Sequence, residues 1–88
     1  MIFTPKPGEM YQLIKCSEGT DYHILLDLDG HRPSHGWKES DYDLKVGDYI
    51  FIVALLKKEV HVLFRGLDRS LLFNDLDSDY YKRVDECE

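Results

Sequence analysis

Apolar and polar positions alternate through the first third of the chain and give way to a continuous apolar run in its middle. Between Met10 and Cys16, Met10, Gln12, Ile14 and Cys16 fall on one face of an extended segment, with Tyr11, Leu13 and Lys15 on the other. That period of two predicts a first strand. Ser17-Glu18-Gly19-Thr20 reads as a hairpin-length turn, and Asp21 to Leu28 as a second strand closed by Asp29-Gly30. The apolar run Tyr49 to Leu56 is too short for a helix. Its β-branched and aromatic content predicts a strand buried on both faces. Lys57-Lys58-Glu59 turns the chain into a return strand, Val60 to Arg65; Gly66 to Arg69 turns it again, and Ser70 to Phe73 forms a fifth strand. A short helical turn is expected over Ser78 to Val84, capped by Asp77 or Ser78.

Five strands with turn signals every eight to twelve residues predict an all-β fold, a small antiparallel barrel or sandwich. Residues 30–43 form one long loop holding two Gly, one Pro, two His and the single Trp. Loops of that length inside a compact domain are often functional. At 88 residues the chain is one domain, with an extended lead-in over 1–8 and an acidic tail over 85–88. No run approaches the roughly 18 apolar residues of a membrane span, and the N-terminal residues carry no leader pattern. Cys16 and Cys87 are two, where a disulfide-stapled secreted domain carries four or more, so free thiols in a reducing cytoplasm are expected.

Leu44-Lys45-Val46-Gly47-Asp48, followed by Tyr49-Ile50-Phe51-Ile52-Val53, resembles the hydrophobic-x-hydrophobic-Gly-Asp approach to a central strand in SH3-like small barrels. The resemblance covers residues 10–84 in the order of elements and implies a five-stranded SH3-like barrel. It also implies a ligand groove between the first long loop and the last helical turn. Trp37 and Tyr42 would be its loop aromatics, and Tyr80 and Tyr81 those of the turn.

Charge changes the functional picture. Seventeen acids against eleven bases give a net charge of −6, which opposes general nucleic-acid binding, since that draws its affinity from phosphate neutralisation. The acids gather in residues 21–43 and 75–88, each with six acids against two bases. If the loop and the tail meet, Trp37, Asp41, Tyr42, Asp43, Asp77, Asp79, Tyr80 and Tyr81 make one acidic, aromatic face. Such a face suits a basic surface of a protein partner, because charge speeds encounter and aromatics anchor it. The expectation is a non-enzymatic interaction protein, an inhibitor or nucleic-acid mimic aimed at a nucleic-acid-handling enzyme. Phage-encoded host-takeover proteins and nuclease immunity proteins are what its size and charge resemble. The alternative is a barrel that binds single-stranded nucleic acid or a peptide through its aromatics, with Lys57, Lys58, Arg65 and Arg69 as the basic groove.

Chemical motifs are sparse. His31 and His35 are spaced like zinc ligands, but Pro33 breaks the helix that would align them, and no Cys-x-x-Cys accompanies them. Asp27-Leu28-Asp29-Gly30 begins like a calcium loop and lacks the later acidic ligands. Ser34-His35 are adjacent in a loop and unsuited to a nucleophile–base pair. No metal, cofactor or catalytic residue is expected. An exposed apolar face on the Tyr49–Leu56 strand would imply a homodimer.

Overall fold

The structure, a computed structural model, describes residues 1–16, 19–33 and 38–84, with Glu39 and Ser40 described by backbone alone. The chain is all-β, with two short helical turns. The elements are β1 (Met10–Leu13), β2 (Tyr22–Ile24), the turn α1 (Glu39–Tyr42), β3 (Asp43–Lys45), β4 (Tyr49–Leu55), β5 (Glu59–Phe64), β6 (Leu67–Leu72), a 3-10 turn (Phe73–Asp75) and β7 (Tyr81–Arg83). A five-stranded antiparallel sheet runs in the order β6-β5-β4-β1-β7, and β2 and β3 form a second, two-stranded sheet. The main sheet is open: among the described residues no ladder joins β6 to β7, so the expected closed barrel is not formed. No helix among the described residues is long and apolar enough to cross a membrane.

Several sequence expectations are corrected. The first two strands do not form a hairpin. β1 pairs with β4 and β7, because Leu13 is stitched to the turn before β4: its N–H donates to Asp48 O (3.0 Å) and its carbonyl accepts from Gly47 N–H (2.7 Å). The second strand is only Tyr22–Ile24, with Leu26 making a separate bridge to Ser70 in β6. The long loop ends earlier than expected, in α1, and Asp43–Lys45 is strand. The β4 run is not buried on both faces. Ile50 and Ile52 are buried while Tyr49 and Phe51 are exposed, as in an antiparallel sheet covered on one side only. The helical turn is not at 78–84: it lies at Phe73–Asp75, and Tyr81–Arg83 pairs with β1 as a strand.

One core joins the two sheets. Leu13, Ile50, Ile52, Val60, Val62, Phe64 and Leu71 come from the main sheet. Leu44 of β3 and Leu25, just past β2, come from the small one, and each of these two is 0% exposed. Phe3 in the lead-in stacks on Tyr11 with ring centroids 4.8 Å apart.

The β5–β6 hairpin turns on two residues, Arg65 (φ 56°) and Gly66 (φ 80°), flanked by the Phe64–Leu67 pair. Two successive left-handed residues make a type I′ turn, which matches the strand twist and prefers Asn-Gly. Gly66→Ala is expected to cost about 1 kcal/mol through the left-handed penalty alone, since open space surrounds the position. Arg65→Asn is expected to gain about 0.5 kcal/mol. The exposed Arg65–Asp48 contact it forfeits, at 3.4 Å, is worth little. Urea denaturation of both variants tests the opposite signs.

Candidate functional site

A cleft lies between β2 and the segment 73–80. The geometry of that segment is fixed locally. Leu76, 0% exposed, plugs the core, and its N–H donates to Phe73 O (3.0 Å); Tyr80 and Tyr81 N–H both donate to Asp77 O (2.8 and 3.0 Å). The cleft has two compartments. The smaller, about 160 Å³, is lined by Leu13, Lys15, Cys16, Thr20, Tyr22, His23, Asn74, Asp75, Asp77 and Tyr80. The wider, about 550 Å³, shares Thr20, Tyr22, His23 and Asp75 and extends over Ile24, Leu26 and Leu72 to Arg32.

His23 stands where the compartments meet. Its Nδ1 is 2.9 Å from the Tyr81 hydroxyl and its Nε2 is 3.4 Å from Asp75 Oδ2. A carboxylate only accepts, so in the neutral ring Nε2 carries the proton and Nδ1 accepts from Tyr81. Burial, with smaller effects from Asp75 and Cys16, pushes the Tyr81 hydroxyl well above its ordinary pKa, which keeps it a donor. Cys16 faces the same compartment, and burial, then Asp21, raises its thiol. Among the described residues the hydrogen bond of the His23 ring is to Tyr81, and none joins it to Cys16.

The structure divides the residues marked out from sequence. Trp37 and His35 lie outside the described residues, as does the tail 85–88. Tyr42 faces inward: its hydroxyl donates to Asp27 Oδ1 (2.6 Å), which raises its pKa, and the Arg69 guanidinium sits 4.0 Å from its ring centroid. Asp41 is half-buried and its carbonyl accepts from Arg69 Nε (2.9 Å). Asp43 is buried, its Oδ1 without a hydrogen-bond partner among the described residues. Residues 41–43 therefore brace the small sheet and do not line the cleft.

The tail is different. Asp77 and Tyr80 line the cleft, Asp79 is exposed, and Tyr81 is buried beneath His23. Asp77 Oδ1 accepts from the Met1 ammonium (2.8 Å) and from Asp79 N–H (2.9 Å), which together hold its carboxyl below the usual range, the ammonium having the larger effect. Tyr22, His23 and Asp75 are the cleft residues that sequence reasoning missed. Their one signal was a polar or aromatic residue at each position, but that pattern is indistinguishable from an ordinary strand and turn. His31 Nδ1 lies 3.2 Å from Asp29 Oδ2, both well exposed, and no group of three His, Cys, Asp or Glu able to hold a metal occurs among the described residues. No protein-family model matches the sequence, and no curated protein or solved structure is significantly similar to it.

Proposed function

We propose that this chain is a non-enzymatic interaction module of SH3-like architecture whose cleft takes an extended basic segment of a protein partner. The strand order supports the architecture. A first strand is followed by a long connection with its own hairpin, then by three consecutive strands, a 3-10 turn and a last strand beside the first. That is the order of elements in an SH3-like barrel, and the cleft sits between the long connection and the turn, where the resemblance places a groove.

The observation that carries the ligand class is that Tyr22, Tyr80 and Asp75 line one compartment of the cleft. Tyr22 is 40% exposed, Tyr80 half-buried, and the Asp75 side chain 39% exposed. Aromatic walls stack on the stem of Arg or Lys, and a carboxylate accepts its head. Asp77, whose Oδ1 already accepts from the Met1 ammonium, lines the same compartment, Asp21 and Asp79 lie exposed in the flanking segments, and Lys15 and Arg32 are the bases of the cleft lining. A nucleic-acid phosphate would meet these same carboxylates at a cost, whereas the basic groove of a nucleic-acid-handling protein would be attracted. Inhibition of such a protein by occupying that groove follows from this reading.

The test is isothermal titration with an arrayed set of Arg- and Lys-bearing peptides, followed by variants. Asp75→Asn and Tyr80→Ala are each expected to weaken the best peptide by about tenfold, or about 1.4 kcal/mol, and affinity is expected to fall as salt rises. Binding that ignores both variants would place the partner surface elsewhere.

A further inference from the structure

The solvent face of the main sheet carries a feature unrelated to the cleft. Residues directly opposite in an antiparallel pair project to the same side. Met10 pairs with Phe51 and Phe51 with Leu63, so these three make one apolar row across β1, β4 and β5. Gln12 and Tyr49 form the next row. Phe51 is 38% exposed and Tyr49 51%, with Met10 and Leu63 half-buried. Both rows end in charge, and the signs are opposite. Gln12 pairs with Lys82 at the β7 edge, and Leu63 pairs with Asp68 at the β6 edge. Lys82 has no salt bridge among the described residues, and Asp68 is answered only by His61 Nε2 at 3.0 Å.

We infer that this face binds a second copy of the chain, forming a two-fold dimer with Phe51 and Tyr49 at its centre. A two-fold axis running along β4 keeps the central strand over its own copy and exchanges the two edges. Lys82 of each protomer is then carried toward Asp68 of the other, so the edge charges form two equivalent cross-protomer pairs. A basic-ended stripe alone would repel its own copy; one basic end and one acidic end make the face self-complementary, as an isologous contact requires. The two charges lie on adjacent rows, and the flexible four-carbon stem of lysine spans that offset.

The size of the face sets the strength. Strands of three to seven residues, at about 4.8 Å spacing and about 3.3 Å rise per residue, cover roughly 400 Å². That is about half the area per partner of a standard interface, so association is expected to be weak and to show at the high end of a concentration series.

Sedimentation equilibrium of the full chain over a wide concentration series reads the result. The mass is expected to rise from 10.4 kDa to twice that value. Phe51→Glu, on the outer face, is expected to hold the protein at the monomer mass throughout with an unchanged circular-dichroism spectrum. If that variant fails to fold, Tyr49→Lys, at a more exposed site, carries the same expectation. Lys82→Glu and Asp68→Lys are each expected to weaken association by about tenfold, and the double reversal to restore it. A chain that stays monomeric at all concentrations overturns the inference. A dimer indifferent to both Phe51→Glu and Tyr49→Lys also overturns it, as does one whose double reversal is no better than the singles.

Discussion

Leu44→Ala is expected to destabilise the protein by about 2–5 kcal/mol, the range for removing a fully buried leucine side chain. The small sheet is joined to the rest by few polar links among the described residues. They include the His23–Tyr81 hydrogen bond (2.9 Å) and, from the flanking segments, the Leu26–Ser70 backbone pair (2.8 and 2.9 Å), the Ser70 Oγ bond to Asp27 O (2.6 Å) and the Arg69 Nε bond to Asp41 O (2.9 Å). Its apolar attachment is Leu44 and Leu25, each 0% exposed. Truncating Leu44 leaves a cavity in a close-packed interior that can collapse only in part. A chain of 88 residues has on the order of 5–10 kcal/mol of total stability, so the loss would be a large fraction of the whole. Leu44 is also the direct cross-strand partner of His23. The same substitution should therefore loosen the β2 wall and weaken peptide binding. Urea unfolding with an unchanged m-value reads the first effect, and titration of the folded fraction reads the second. A stability loss below about 1 kcal/mol would mean that the site repacks and that the small sheet is held by its hydrogen bonds.

The parts of this fold that could be read from sequence are those whose pattern is local. β5 alternates Val60, Val62 and Phe64 inward, and the antiparallel chain of β4, β5 and β6 follows from short turns between apolar runs. What could not be read depends on long-range pairing. β1 finds its partners at β4 and at β7, across connections that carry no register information of their own. Asp43 looks like a loop acid, but it begins a strand and is buried. Tyr81 looks like one of two exposed tail aromatics, yet strand alternation sends it inward and leaves Tyr80 beside the cleft. The cleft sets the acids Asp75 and Asp77 and the ring of Tyr80 from the segment 73–80 beside Tyr22 and His23 from β2, together with the bases Lys15 and Arg32. The two exposed aromatics of β4 were hidden for a related reason. A continuous apolar run reads as doubly buried, and only the pairing shows that one side of this sheet is uncovered.

Tyr81 joins core and cleft, and it carries the second large expected effect. Tyr81→Ala should cost about 3–5 kcal/mol, because a ring that is 3% exposed is removed from beneath β2. Tyr81→Phe separates the hydroxyl from the ring. It keeps the packing and leaves His23 Nδ1 without its donor, at an expected cost of about 1 kcal/mol. The hydroxyl has a second signature in alkali. Its pKa in the folded protein is raised above the ordinary value near 10, so above that pH the unfolded chain releases a proton that the folded chain retains. Stability from this group is complete below about pH 10 and falls as pH rises beyond it, by up to about 1.4 kcal/mol per unit. Tyr81→Phe should flatten that part of the stability profile. The cleft offers the sharper reading, through the nitrogen chemical shifts of the His23 ring. With Tyr81 donating to Nδ1, the neutral ring is held with its proton on Nε2, 3.4 Å from Asp75 Oδ2, and under the proposed function this contact would orient the carboxylate for a basic ligand. Loss of the hydroxyl should mix the two tautomers and weaken the basic peptide without removing any residue that touches it. A ring that keeps its proton on Nε2 in Tyr81→Phe would show that Asp75 alone orients it. The buried hydroxyl would then serve the core and not the cleft.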